Sequence, residues 1–335
     1  MDRKEFAQAV KDGKVGGAYL FEGPEENIKA AALAQLRKAL LPEGMEELNE
    51  NVLEAPATDA LIAAAETLPF LAEKRLVIVR EHPALAGRGE GDDRLKDYLA
   101  HVPETAVIVF IVRGKADARK KLYTAIKKHG HIVSFNPLTD AELNTWIIRA
   151  FASMGKTCSA QTASLLSFTV GGGTALLRQE IDKLAALTGE RETITDEDVR
   201  QIATRSVECT IFEMVDAVVA RQEGRAFGLL RDMLTSGEQR LGILAMLLRQ
   251  YRLLQHVKIM QYEKKTVQEI KSRLGIAPFA AERCIRQASA YTGGEVRQAV
   301  EICLNTEMGV KSGQYHDEGA LESAMLKLFA LRKRA

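Results

Sequence analysis

Apolar and polar positions follow two different patterns along this chain of 335 residues. In about the first 140 residues, short apolar runs alternate with segments of helical periodicity, which is typical of a parallel sheet covered by helices. The apolar runs predict strands, and the segments between them predict helices. The predicted strands are 18–21, 76–79, 106–112 and 132–135, with a weak candidate at 50–53. The predicted helices are 29–41, 58–68, 95–99 and 118–129, and a loop is predicted at 87–93.

After the last predicted strand, the pattern is helical and no strong strand signal follows. Thr139 and Asp140 predict the start of one helix, because short polar side chains can accept bonds from the free amides there. Another helix is predicted at 176–187. Thr195 and Asp198 form the T-x-x-D version of a capping box, which predicts the start of a short helix.

A polar joint near residues 206–208 introduces a further region that is helical throughout. Its clearest element is a helix at 241–254, where the apolar positions form a wide stripe. The patterns together predict an α/β fold followed by all-α segments. The predicted domains are 1–138, 139–207 and 208–335.

Composition narrows the class of protein. Hydrophobic residues make up 46% of the chain and charged residues 27%, which is typical of a globular protein with apolar cores. The formal net charge is +1, so contact with DNA would need a local basic patch rather than a global field. Four single cysteines argue against a zinc site and favour reduced, mostly buried thiols in a cytosolic protein. They are Cys158, Cys209, Cys284 and Cys303.

The junction between the first strand and the first helix has the layout of a phosphate-binding loop without its working groups. Such a loop reads G-x-x-x-x-G-K-[ST]. Counting from Gly23, Ile28 replaces the second glycine, Lys29 keeps the lysine, and Ala30 replaces the hydroxyl that would hold Mg²⁺. A glycine and a lysine at this spacing also occur by chance. The motif alone therefore leaves open whether this junction was ever a phosphate-binding loop.

Other parts of a phosphoryl-transfer site are missing as well. The strand that holds Mg²⁺ should end in acidic residues, but strand 76–79 ends in Arg80-Glu81 and strand 106–112 is followed by Gly114-Lys115. We therefore predict that Lys29 is a solvated helix lysine rather than a phosphate ligand. The six histidines show no metal-ligand spacing, so we expect no catalytic residue, no metal and no cofactor.

An apolar turn, Leu68-Pro69-Phe70-Leu71, joins a predicted helix to a predicted strand. Pro69 disfavours helix at the residue before it, so the helix should end near Leu68. Phe70 and Leu71 can then project as an apolar wedge that enters a pocket on a partner. The alternative is that both side chains close the core beneath the next strand.

Several strings, taken in order, resemble the delta-subunit family of bacterial DNA polymerase III, in the clamp-loader branch of AAA+ proteins. These strings are AYLFEGPEE at 18–26, LPFLAEKRLVIV at 68–79, GGGTALLRQEIDKLAAL at 171–187, ILAMLLRQYR at 243–252, and Thr306-Glu307 with Lys311-Ser312-Gly313. Glu307 stands where the family usually has aspartate. The resemblance implies a degenerate AAA+ parallel-sheet domain, a small helical lid domain and a helical collar domain that serves in oligomerisation.

The resemblance also implies a function. A protein of this family is a non-catalytic subunit that binds the ring-shaped sliding clamp (beta) and opens it for loading onto primed DNA during replication. It acts beside motor (gamma/tau) and delta-prime subunits in the bacterial cytoplasm, at the nucleoid, and has no ATP site of its own. Leu68, Phe70 and Leu71 fall on the clamp-binding position of the family.

Some basic and aromatic residues are candidates for contacts with DNA or with other subunits. Arg249 and Arg252 share one helix face, and Tyr315 lies in a glycine-rich loop where it could stack on a base. The alternatives are a solvated helix face and an ordinary loop tyrosine. Further basic clusters lie at 119–121 with 127–128, and at 332–334.

Two other functions stay open on the residues alone. One is an active orphan AAA+ ATPase with an unusual phosphate-binding loop, which Ile28, Ala30 and Arg80 argue against. The other is a helical DNA-binding adaptor unrelated to replication, which the near-zero net charge weakens.

Overall fold

The computed structural model describes residues 1–86 and 93–331 of the chain. They form two compact units: residues 1–137 with 173–175, and residues 138–172 with 176 onward. The predicted loop at 87–93 lies outside the described residues except for Asp93, and so does the basic cluster at 332–334. The first unit contains a parallel sheet, and the second is helical apart from two very short strands.

The first unit is built on a five-stranded sheet in which every pair of neighbours is parallel. The strands are β1 Gly17–Glu22, β2 Glu50–Glu54, β3 Arg75–Arg80, β4 Ala106–Ile111 and β5 His131–Ser134. Their order across the sheet is β2-β3-β4-β1-β5. The side chains of β3 and β4 are almost fully buried, which explains why these segments read as continuous apolar runs. The second strand reads weakly because it is an edge strand with partly exposed side chains.

Helices cover both faces of this sheet. The helices are α1 Arg3–Lys11, α2 Glu26–Leu40, α3 Glu46–Asn49, α4 Thr58–Glu66, α5 Pro83–Ala86, α6 Asp93–Tyr98 and α7 Lys121–His129. Side chains of α4, α6 and α7 share one apolar core with the sheet, and those of α1 and α2 share the other. Burying both faces is what a parallel sheet requires.

Three details of the first unit differ from the sequence predictions. Helix α1 is absent from the sequence predictions. Asp2 and Glu5 form a capping box at its start. Thr58 is not the cap of α4 but its first residue, and α4 ends at Glu66, so Leu68 lies outside it. The residue before α7, Lys120, is extended, so the basic residues at 119–120 precede this helix rather than lying on it.

The second unit contains eleven helices among the described residues, except that the first two residues of α10, Thr174–Leu187, belong to the first unit, and it also contains the pair β6 Thr157–Cys158 and β7 Thr193–Ile194. Both predicted caps are present, since Thr139 and Thr195 each accept a bond from an amide three residues on. The helices are α8 Asp140–Ala152, α9 Ala160–Val170, α10 Thr174–Leu187, α11 Asp196–Ile202, α12 Val207–Val219, α13 Glu223–Thr235, α14 Arg240–Tyr262, α15 Val267–Leu274, α16 Pro278–Ser289, α17 Gly293–Lys311 and α18 Asp317–Leu331.

The core of the second unit joins helices that are far apart in sequence. The rings of Phe168 in α9 and Phe212 in α12 meet edge to face with 5.1 Å between centroids, and Phe279 of α16 lies equally close to Phe168. The long helix α14 is buried along one side, including Tyr251. A parallel α/β unit followed by helices confirms the predicted fold class. The division into three domains stays a prediction.

The cysteines agree with the prediction of mostly buried thiols. Cys209, Cys284 and Cys303 are buried, and Cys158 is partly buried. Burial raises the pKa of the Cys209 and Cys284 thiols to about 11 and that of Cys303 to about 12. These thiols therefore stay protonated at neutral pH, and a protonated thiol is a poor nucleophile.

Asp198 should make the stability of the second unit sensitive to acid. The Arg191 guanidinium bonds both carboxylate oxygens, at 2.8 and 2.6 Å, and holds the pKa of Asp198 well below its usual range. A lowered pKa means that this stabilisation is present above about pH 4 and is lost as the pH falls further. We expect Asp198→Asn to lower the free energy of unfolding by about 1 kcal/mol at pH 7.

The measurement is urea unfolding followed by the fluorescence of Trp146, the single tryptophan, which packs on the same core as α11. The difference between the wild-type protein and Asp198→Asn should shrink as the pH falls from 5 to 3. A difference that stays constant over this range would contradict the assignment.

Candidate functional site

The turn after β1 keeps the glycine of a phosphate-binding loop for a structural reason. Gly23 has φ +118°, and a Cβ atom there would lie 2.3 Å from the carbonyl oxygen of Phe135. A larger residue would need both a strained backbone and movement of the neighbouring chain. The Gly23 amide is also occupied, because it donates to the carbonyl oxygen of Gly114 at 2.5 Å.

The backbone that follows Gly23 does not form a phosphate cradle. Such a cradle needs several free amide groups that point at the anion. Here the amides of Ile28 and Lys29 both donate to the carbonyl oxygen of Glu25, at 3.2 and 3.0 Å, because α2 begins as early as Glu26. Ile28 packs against the apolar core, and Ala30 is exposed.

The prediction that Lys29 is solvated is wrong. Its side chain is 2% exposed, and its Nζ donates to the carbonyl oxygen of Val112 at 2.7 Å and to Glu26 Oε1 at 2.6 Å. An ammonium group taken out of water needs such partners. Lys29 thus joins the start of α2 to the end of β4, and its donors are used within the protein.

Acidic side chains lie at the start of α2, where a phosphate-binding protein would hold its anion. Glu25 is buried, and its Oε2 accepts a 2.6 Å hydrogen bond from Oγ1 of Thr174, a residue of the same unit. Glu26 is paired with Lys29. A triphosphate placed here would meet carboxylate rather than unpaired positive charge.

The end of β3 also lacks the acidic pair of a magnesium site. Arg80 lies 3.7 Å from Glu54 across the neighbouring strand. The carboxylate of Glu81 accepts a 2.7 Å bond from the amide of Arg113, so it holds the loop after β4. Among residues 1–86 and 93–331, no group of three or more His, Cys, Asp or Glu side chains is placed to hold a metal ion.

The turn between α4 and β3, residues 67–74, presents an apolar surface. We call it the apolar turn. Leu68 is 76% exposed, Phe70 55% and Leu71 73%. These values exclude the alternative that Phe70 and Leu71 close the core beneath β3. Three large apolar side chains exposed together are typical of a surface that binds another protein.

Two buried polar side chains hold the apolar turn, and the sequence analysis missed both. Asn49, at the end of α3, bonds the amide of Phe70 at 2.7 Å and its carbonyl oxygen at 2.9 Å. Arg75, at the start of β3, donates to the carbonyl oxygen of Leu68 at 3.3 Å. The sequence carries no local signal for these bonds, because Asn49 and Phe70 are 21 positions apart.

Comparison with known proteins identifies the family. The family described as "DNA polymerase III, delta subunit" matches residues 19–136, and its C-terminal domain matches residues 208–328. A DNA polymerase III subunit delta from Bacillus subtilis is 28% identical over 96% of this chain and 95% of its own length. A solved structure of the Bacillus subtilis DNA clamp loader delta protein is 27% identical, covers 98% of this chain and 99% of its own, and has a TM-score of 0.53.

The chain belongs to the DNA polymerase III delta subunit family. The two matched segments fall within the predicted first and third domains. The first segment contains both the altered phosphate-binding loop and the apolar turn. The roles of individual residues are not settled by family membership, so the site residues stay predictions.

In this member of the delta subunit family, some of the residues predicted to contact DNA or other subunits already make contacts within the chain. Arg249 forms a 2.8 Å ion pair with Glu208, and Arg252 is exposed on the same helix. Tyr315 is 44% exposed, and its ring packs so closely on Gly309 that a Cβ atom there would lie 2.2 Å away. The ring therefore has a structural role on α17, and its contact with DNA stays a prediction.

The basic residues around α7 line a cleft of about 660 Å³ together with residues of α6 and the turn after it. Several of its cations already have acidic neighbours: Arg119 pairs with Asp117 at 3.0 Å, and Lys121 lies 3.5 Å from Asp93. This arrangement is that of a solvated charged face. Across the described parts of the chain, no helix combines the length and the apolar character needed to cross a membrane.

Proposed function

We propose that this protein is the clamp-loader subunit that binds the sliding clamp through the apolar turn and opens its ring for loading onto primed DNA. The observation that carries the proposal is the exposure of Leu68, Phe70 and Leu71 on a turn whose backbone is held in place. Membership of the delta subunit family supports it, and so does the likeness to a clamp loader delta protein.

The chemistry of the turn suits a peptide-binding pocket on the clamp. Burying an exposed Phe or Leu side chain in such a pocket contributes about 1.5–3 kcal/mol each. To favour the open ring, the contact must be stronger with the open ring than with the closed one. A partner can shift such an equilibrium only by its difference in affinity for the two states.

The proposal includes no ATP hydrolysis by this chain. The amides of Ile28 and Lys29 are used within α2, Lys29 is bound to Val112, and Glu25 is buried near the place where a phosphate would lie. ATP would be bound and hydrolysed by the motor (gamma/tau) subunits of the assembled loader. The helical second unit would join them and the delta-prime subunit.

The test is calorimetric titration of the purified full chain with the bacterial sliding clamp, in the presence and absence of Mg-ATP. We expect a one-to-one complex of equal affinity in both conditions, and no heat when Mg-ATP is added to the chain alone. Micromolar binding of Mg-ATP would support an active ATPase instead. Absence of a complex with the clamp would overturn the proposal.

A further inference from the structure

We propose that Asn49 is a positioning residue that holds Phe70 and Leu71 in the conformation that docks on the partner. This inference rests on the proposed function, because it concerns the same apolar turn. Asn49 does not contact the partner in this scheme. It acts through the backbone of Phe70.

The side chain of Asn49 is fully buried and uses both ends of its amide group. Its Oδ1 accepts from the amide of Phe70 at 2.7 Å, and its Nδ2 donates to the carbonyl oxygen of Phe70 at 2.9 Å. These are the two bonds that a neighbouring strand would make to that residue. A primary amide side chain can supply the acceptor and the donor from two separate atoms, the oxygen and the nitrogen.

The side chain of Asn49 is also bonded to Met45, the residue that precedes its own helix, α3. Its Nδ2 also donates to the carbonyl oxygen of Met45 at 3.1 Å, and its own amide donates to the same oxygen at 3.2 Å. The side chain therefore cannot rotate away from Phe70 without losing three bonds. A buried amide left without partners is costly, which favours the single arrangement seen here.

The turn needs such a support because one of its residues is strained. Leu71 has φ +52°, in the left-handed region that side chains other than glycine rarely adopt. Strain of this kind persists only where the surroundings impose it. Asn49 holds the residue before Leu71, and Arg75, itself bonded to Asn51 at 2.8 and 3.0 Å, holds the carbonyl oxygen of Leu68.

The consequence is a turn that is ordered before it meets the clamp. A flexible turn would have to be ordered during binding, and this cost would reduce the affinity. The side chains of Phe70 and Leu71, which are more than half exposed, then have a fixed direction. Without Asn49 the strained Leu71 would relax, and the two side chains would sample other directions.

The test compares Asn49→Ala with the wild-type full chain in two measurements, affinity for the clamp and hydrogen exchange of the Phe70 amide. We expect about tenfold weaker binding and faster exchange at Phe70, with unchanged exchange in β3. Asn49→Asp is the second variant. It keeps an acceptor for the Phe70 amide but sets a carboxylate against two carbonyl oxygens, and it should also weaken binding.

The matched control is Val133→Ala, a buried change in β5, at the opposite edge of the sheet. It should lower the thermal midpoint without altering clamp affinity or exchange at Phe70. Faster exchange in Asn49→Ala with unchanged affinity would overturn the inference, and so would equal effects of the Asn49 variants and the control. A wild-type chain that does not bind the clamp would overturn the proposed function and this inference together.

Discussion

Replacing Phe70 and Leu71 together by alanine is expected to weaken binding to the sliding clamp by at least about a hundredfold. Each side chain is more than half exposed in the free chain, so each can be buried fully in a pocket of the partner. Truncating an anchor residue of an interface costs about 2 kcal/mol or more, and two anchors together account for the predicted loss.

The same double variant should leave the fold intact. Phe70 and Leu71 contribute little to the core, and surface substitutions usually change the free energy of unfolding by less than about 0.5 kcal/mol. Calorimetric titration with the clamp measures the affinity, and the thermal midpoint measures the fold. Ring opening can be followed with a fluorescent pair placed across one interface of the clamp.

A matched control removes a similar amount of exposed apolar surface elsewhere. Met308 and Leu326, in α17 and α18, are 60% and 55% exposed. The double variant Met308→Ala/Leu326→Ala should bind the clamp as the wild type does. If Phe70→Ala/Leu71→Ala also binds and opens the clamp normally while folded, the assignment of the apolar turn is wrong.

Replacing Asp216 by alanine is expected to reduce the free energy of unfolding of the second unit by about 3 kcal/mol. Asp216 lies in α12, and its carboxylate accepts from Arg283 at 2.7 and 2.9 Å and from Gln287 at 2.6 Å. The Arg283 side chain is only 12% exposed and Gln287 is buried, so removal of the carboxylate leaves a charge and an amide without their partner.

This carboxylate is one part of a polar network inside an apolar core. Gln287 also donates to the carbonyl oxygen of Phe212 at 2.9 Å and accepts from Gln250 of α14 at 2.7 Å. The guanidinium of Arg283 lies over the rings of Phe168 and Phe212, with 5.6 and 5.7 Å to their centroids. The network therefore connects α9, α12, α14 and α16, and its loss should destabilise the packing of all four helices.

The measurement is urea unfolding followed by Trp146 fluorescence, which reports on the second unit. The matched control is Asp182→Ala, which removes the same charge from an exposed ion pair with Arg178 on α10. Exposed pairs of this kind contribute about 0.5 kcal/mol or less. Equal effects of the two substitutions would show that the buried network does not stabilise this unit.

Much of the fold could be predicted because its signals are local. The runs at β1, β3 and β4 are apolar throughout, since both faces of these strands are buried, and they were recognised to within two residues at either end. The caps at Thr139 and Thr195 were recognised because a capping box is complete within four residues. Helix α1 was missed although Asp2 and Glu5 form the same box.

The candidate site could likewise be predicted only in part from the sequence. The sequence reveals that the groups needed for phosphate and magnesium are missing at Ile28, Ala30 and Arg80, because a missing hydroxyl or carboxylate can be recognised from the residue alone. It also reveals an apolar pair after a proline. It does not reveal whether that pair is buried, and only the packing of the turn shows that Phe70 and Leu71 are exposed.

The order of α/β and helical segments, the altered phosphate-binding loop and the likeness to the delta subunit family are all apparent from the sequence. Two contacts become apparent only when the chain is folded: Lys29 is buried against Val112, 83 positions away, and Asn49 holds Phe70 across 21 positions. Periodicity and capping depend on neighbours within a few residues, so a sequence displays them directly. The partner of a buried ammonium or amide is set by which strands and helices pack together, and no local pattern records it.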